Sequence, residues 1–125
     1  MALKTTIQDR GGQSYLMTFD GRLDTDTAQE CAEKLKPLLE KQVRALVFDM
    51  RDLSYISSMG LRLVLNARKK VEACSGAFTL TRMQPQIRKV FDIAQVMPST
   101  HIFASVEEAD NYFTTMQQKV LDQNK

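Results

Sequence analysis

Two spacings of apolar side chains run through this sequence, and the points where one gives way to the other divide it into elements. From residue 3 to 8, Leu3, Thr5 and Ile7 alternate with polar neighbours, the two-residue repeat of a strand. Gly11-Gly12-Gln13-Ser14 supplies turn residues, and Tyr15, Met17 and Phe19 then alternate with Leu16, Thr18 and Asp20 up to Gly21. The two runs predict a β-hairpin. Beyond Gly21-Arg22-Leu23, Asp24 or Thr25 is placed to cap a helix with Ala28, Cys31, Ala32, Leu35, Leu38 and Leu39 on its apolar side. That spacing is the period of an amphipathic helix. Pro37 falls late in it, where it kinks the helix or closes its regular part.

Val43 to Met50 reads as a third strand. Its near-continuous run Ala45-Leu46-Val47-Phe48 predicts burial on both faces, as in a central parallel strand. A loop carrying Ser54, Ser57 and Ser58 follows. A second helix is expected from Ser58 to Cys74, with Leu61, Val64, Leu65, Ala67, Val71 and Cys74 inside and Ser75-Gly76 at its end. Ala77 to Met83 is the fourth strand, and Pro85 opens a third helix carrying Ile87, Val90, Phe91, Ala94 and Val96. Residues 101 to 104 suggest a short last strand. Ser105 to Glu108 spells a capping box for a final helix with Ala109, Tyr112, Phe113, Met116 and Val120 on its stripe. The order β-β-α-β-α-β-α-β-α predicts one α/β domain over residues 1–125, a mixed sheet of about five strands with about four helices.

Composition narrows the function more than the fold. With 43% hydrophobic and 26% charged residues the chain is an ordinary globular sequence. A net charge of +2 is too mild for a nucleic-acid footprint. No apolar h-region opens the chain and nowhere do about 18 apolar residues run together, so a cytoplasmic protein without membrane insertion is expected. The two cysteines, Cys31 and Cys74, lie inside helical patterns and are expected to be buried thiols. His101 is the only histidine. No metal or other cofactor is therefore expected. Enzyme activity is not expected either: there is no Gly-x-Ser-x-Gly elbow, no P-loop and no Gly-x-Gly-x-x-Gly.

What remains is the pair Ser57-Ser58, followed by Met59 and Gly60, at the carboxyl end of a strand where a helix begins. Function gathers at such ends in open α/β sheets. A serine there is also an ordinary N-cap. It is equally a place where a phosphoryl group meets free helix amides and the positive end of the dipole, adding about −1.5 to −2 charges to the surface. Residue chemistry alone leaves both readings open.

The order of elements, Gly21-Arg22-Leu23-Asp24, and Asp52-Leu53-Ser54-Tyr55-Ile56-Ser57-Ser58-Met59-Gly60-Leu61 together resemble the STAS domain of anti-sigma factor antagonists, with Pro85 and Phe91 also in place. The resemblance implies a partner-switching protein that binds an anti-sigma factor, itself a GHKL-type serine kinase, and is restored by a PP2C-type phosphatase. It implies Ser58 as the phosphoacceptor. Ser57 stands where the family carries an acidic residue, and Met59 where it carries Ser or Thr, so Ser57 is the alternative acceptor. Asp24, Ser57, Ser58, Met59, Gly60, Leu61 and Arg62 form the implied partner-binding set. The alternative is an unphosphorylated STAS scaffold subunit of an ABC-type lipid or anion transporter.

Overall fold

The computed structural model describes residues 3–96 and 105–123. Strands β1 (Leu3–Asp9) and β2 (Ser14–Leu23) form the expected antiparallel hairpin. Helix α1 (Thr25–Leu39), strand β3 (Ala45–Ile56), helix α2 (Ser58–Ala73), strand β4 (Ala77–Thr81), and helices α3 (Pro85–Val96) and α4 (Val106–Gln123) follow. The sheet order is β1-β2-β3-β4, with β3 parallel to both its neighbours. Two crossovers, β2-α1-β3 and β3-α2-β4, thus step in one direction across the sheet, and right-handed connections put α1 and α2 on the same face. These helices pack on each other, while α3 packs on α4 and both reach β3. Residues 101–104, expected to form a fifth strand, lie outside the described residues.

The core gathers on β2 and β3. Met17, Phe19, Leu46, Phe48, Met50, Leu53 and Ile56 are all essentially inaccessible, and the Phe48 ring meets those of Phe19 and Phe78 edge-on at 4.9 and 5.0 Å. Burial on both faces over residues 45–48 is only half realised: Leu46 and Phe48 are buried, but Ala45 and Val47 are half-buried. Alternation is cleaner on β1 and β4, where every second side chain faces water.

The main departure from expectation is β3. It continues through the segment expected to be a loop, to Ile56 rather than Met50. One edge of this extension is paired with β2, from Asp20↔Asp52 to Leu23↔Ile56. The other edge has lost β4, whose pairing stops at Asp49↔Thr81. Glutamine side chains replace the missing strand. Gln84 Nε2 donates to Arg51 O at 2.8 Å and Gln86 Nε2 to Ser54 O at 3.1 Å. Gln117, on α4, accepts from Ile56 N–H at 3.0 Å and donates to Ile56 O at 2.8 Å. The Ile56 groups are buried and must be paired; Gln117 pairs them, while Gln84 and Gln86 reach the more exposed carbonyls.

Several side chains differ from the sequence reading. Leu65 and Tyr112, placed on apolar stripes, are 42% and 40% exposed, and Ala32 is exposed as well. Each lies at the edge of a stripe whose centre already fills the contact. Cys31 is buried but Cys74 is exposed, because it is the C-cap of α2; both are free thiols. The helix closes in a Schellman arrangement, with Ser75 N–H donating to Glu72 O and Gly76 N–H to Val71 O. Here Ser75 takes the left-handed conformation (φ 63°). Gly76 is required by contact instead, since a Cβ there would lie 2.3 Å from Val43 O.

Candidate functional site

The two β2 and β3 ends converge at one corner of the sheet. Leu23 ends β2 and its carbonyl accepts from Ser57 N–H at 2.9 Å, so the starts of α1 and α2 are held side by side. Asp24 caps α1: its Oδ1 accepts from Thr27 N–H at 2.9 Å, and Thr27 Oγ1 accepts from Asp24 N–H at 2.8 Å. Its carboxyl lies below the usual carboxylate range, chiefly because of the hydrogen bond from the Thr27 amide, which outweighs the opposing effect of burial.

The adjacent serines have different environments. Ser57 is the N-cap of α2, its Oγ accepting from Gly60 N–H at 3.1 Å, and it is 1% exposed. Ser58 is the first helical residue and half-buried. Its N–H and its Oγ–H both donate to Oδ1 of Asp110 on α4, each at 2.7 Å, and Asp110 Oδ2 accepts from Thr25 Oγ1 at 3.3 Å. One carboxylate therefore joins the first residues of α1 and α2. The first turn of α2 has no acidic residue of its own, so Asp110 supplies the negative charge that a helix N-terminus favours.

Gly60 is fixed by close approach. A Cβ there would come within 2.8 Å of both the Cγ and the carbonyl oxygen of Leu23 and 3.0 Å of Ile56 Cγ1. Any larger residue would lever α2 away from the end of β2. Leu61 points into the core at 7% exposure. Met59 is half-buried against the core, and only Arg62 of the expected set is exposed. The corner thus brings together Asp24, Ser57, Ser58, Met59, Gly60, Leu61 and Arg62, with Ser57, Gly60 and Leu61 buried beneath the others.

Beside Ser58, a groove of about 590 Å³ runs between α1 and α2. Ala28, Leu39, Met59 and Leu63 contribute to its apolar lining, and Glu33, Lys36, Arg62 and Lys70 are its charged lining residues. The basic residues of α2 singled out from the sequence, Arg62, Arg68, Lys69 and Lys70, are all exposed, with Arg68 paired to Glu72 at 3.4 Å. Among the described residues no cluster of His, Cys, Asp or Glu is grouped to hold a metal. No helix among them is long and apolar enough to cross a membrane.

Asp110 and Gln117 were not singled out in the sequence. Gln117 left a trace: it falls four residues after Phe113 and eight after Ala109, in phase with the buried stripe of α4. A polar residue in such a position needs a buried partner. Asp110 left none, because its partners lie 52 and 85 residues away.

The STAS domain family matches residues 4–109, and the chain belongs to that family. It is 32% identical over 113 residues, 90% of this chain and 97% of the relative, to BtrV of Bordetella bronchiseptica, which is named as an anti-sigma factor antagonist. An anti-sigma-B factor antagonist of Staphylococcus aureus is 25% identical over 105 residues, 84% of this chain and 94% of that one. The unphosphorylated form of the anti-sigma factor antagonist SpoIIAA shares the fold with a TM-score of 0.67 at 22% identity, over 78% of this chain and 90% of its own. The phosphorylated form of the Bacillus SpoIIAA gives 0.64 at 19% identity, over 98% and 100%.

Proposed function

We propose that this protein is a cytoplasmic anti-sigma factor antagonist whose binding is switched by phosphorylation of Ser58. In this reading the unmodified protein docks on an anti-sigma factor that is also a GHKL-type serine kinase, and the sigma factor is released. The kinase then ends the complex. Ser58 Oγ attacks the γ-phosphorus of ATP, the Oγ–P bond forms as the bond to ADP breaks, and the hydroxyl proton passes to a base. A PP2C-type phosphatase hydrolyses the ester with water, returning the hydroxyl and releasing inorganic phosphate.

The observation that carries the reading is the contrast between the two serines. Ser57 is buried and its oxygen is engaged as a helix cap. Ser58 is partly accessible, at the first helical position, beside the groove. A phosphate there would meet the helix N-terminus, which favours anions, so the fold tolerates the product. It would also place about two negative charges on a docking surface formed by Met59, Arg62 and the groove, where a partner would have to desolvate them. The names of the relatives support the antagonist assignment, and SpoIIAA has the fold in both unphosphorylated and phosphorylated forms.

Mass spectrometry after incubation with the cognate kinase and ATP tests the assignment. Phosphate on Ser58 is expected, and none on Ser57. If the protein stays unmodified, and Ser58→Ala copurifies with an ABC transporter as the wild type does, the scaffold function is the correct one.

A further inference from the structure

The N-terminus of α2 already holds an anion, and Ser58 helps to hold it there. Asp110 Oδ1 accepts from both the amide and the hydroxyl of Ser58 at 2.7 Å. The first amide of a helix has no partner within the helix, so this carboxylate satisfies a group that would otherwise need water. Thr25 Oγ1 binds the other carboxylate oxygen at 3.3 Å. Further along α4, Phe113 is 3% exposed and Gln117 clamps the end of β3. The helix is therefore held near its start by Asp110 and the buried Ala109, and along its middle by Phe113, Gln117 and a hydrogen bond between the Tyr55 and Thr114 hydroxyls at 2.8 Å.

We propose that Asp110 is a latch that phosphorylation of Ser58 opens, so that the modification is transmitted to the first turns of α4 as well as displayed on the surface. The inference rests on Ser58 being the phosphoacceptor. Esterification replaces the hydroxyl hydrogen by phosphorus, and Oγ loses its only proton. The bond from Oγ to Asp110 then has no counterpart in the product. The same step sets about −1.5 to −2 charges beside a carboxylate that had been in hydrogen-bond contact. Both anions need the Ser58 amide, and it can serve only one well. The phosphate is covalently tethered there, so Asp110 is the group that leaves. With Phe113 and Gln117 still anchored, release is confined to the N-terminal part of α4. Asp110 acts here as a positioning residue, orienting the Ser58 hydroxyl before transfer and reporting the transfer afterwards.

The test uses the full chain with phosphoserine encoded at position 58, compared with unmodified protein by amide hydrogen exchange, each also prepared as Asp110→Asn. Phosphorylation is expected to speed exchange at Ala109, Asp110 and Asn111 about tenfold, equivalent to about 1.4 kcal/mol of local stability. Amides from Phe113 onward should keep their protection. In Asp110→Asn the neutral side chain still accepts a hydrogen bond but brings no charge, so the effect of the phosphate should fall below about threefold (~0.7 kcal/mol). Unchanged exchange in the wild-type chain overturns the latch, and so does an equal effect in Asp110→Asn. Because the phosphoserine is encoded, this outcome is independent of whether a kinase modifies Ser58. A latch that opens in a protein no kinase phosphorylates at Ser58 would reject the function and keep the coupling.

Discussion

Replacing Gln117 by leucine removes the side chain that takes the place of a strand at the end of β3. Gln117 is 2% exposed and Ile56 is fully buried, so neither the amide nor the carbonyl of Ile56 gains water when the glutamine is lost. Each orphaned group costs about 1–3 kcal/mol. Leucine has similar volume and is more apolar, returning about 1–2 kcal/mol by burial. The net loss expected is about 2–3 kcal/mol, a large share of the about 5–15 kcal/mol that holds a domain together. Urea unfolding reads it as a lower midpoint at unchanged slope. Ile56 should lose amide protection while Met17 and Phe48 keep theirs. A midpoint within about 0.5 kcal/mol of wild type, the range of surface substitutions, would mean that pairing with β2 alone holds the extension and that the glutamine clamp contributes nothing.

Ser57→Ala removes a buried cap and should cost about 1–2 kcal/mol in urea unfolding, with Ser58 still a substrate; loss of phosphorylation with stability intact would reverse the roles of the two serines. Gly60→Ala gains about 1 kcal/mol of helix propensity but drives a methyl into Leu23 at 2.8 Å, an overpacking cost of about 1–3 kcal/mol. A lowered melting temperature is expected, and a raised one would show that α2 can slide. Asp49 is buried, which raises its pKa, but the hydrogen bond from Arg82, the Arg51 amide and the charges of both arginines outweigh burial and leave it below its ordinary value. Asp24 is lowered too. A depressed folded pKa stabilises above the unfolded value of about 3.9 and is lost as pH falls below it. Melting temperature should therefore drop from pH 5 toward pH 2, less steeply in Asp49→Asn; an identical slope would remove Asp49 from the acid response.

Much of the fold is legible in the spacing of apolar residues. The hairpin, the four helix starts and the burial of Met17, Phe19, Leu46 and Phe48 all follow from local pattern. The second half of β3 does not. Arg51, Asp52 and Ser54 look like a loop, and they form a strand because β2 pairs one edge while Gln84, Gln86 and Gln117, 32 to 61 residues away, bind the backbone of the other. That information is tertiary. The site divides in the same way. Residues 57–60 are visible as a strand-to-helix junction, but which serine caps and which is accessible depends on where Leu23 O, Gly60 N–H and Asp110 fall. Cys74 and Leu65 show the converse: correct helical phase does not guarantee burial at the margin of a stripe.

The central claim is that phosphate on Ser58 breaks a complex without breaking the fold. Isothermal titration of the anti-sigma factor with unmodified protein and with protein carrying phosphoserine at position 58 measures this directly. The expected result is a loss of at least about 100-fold in affinity, about 2.7 kcal/mol, while the phosphorylated chain still unfolds cooperatively and Ser58→Ala binds like the unmodified protein. Equal affinities for the two forms would contradict it.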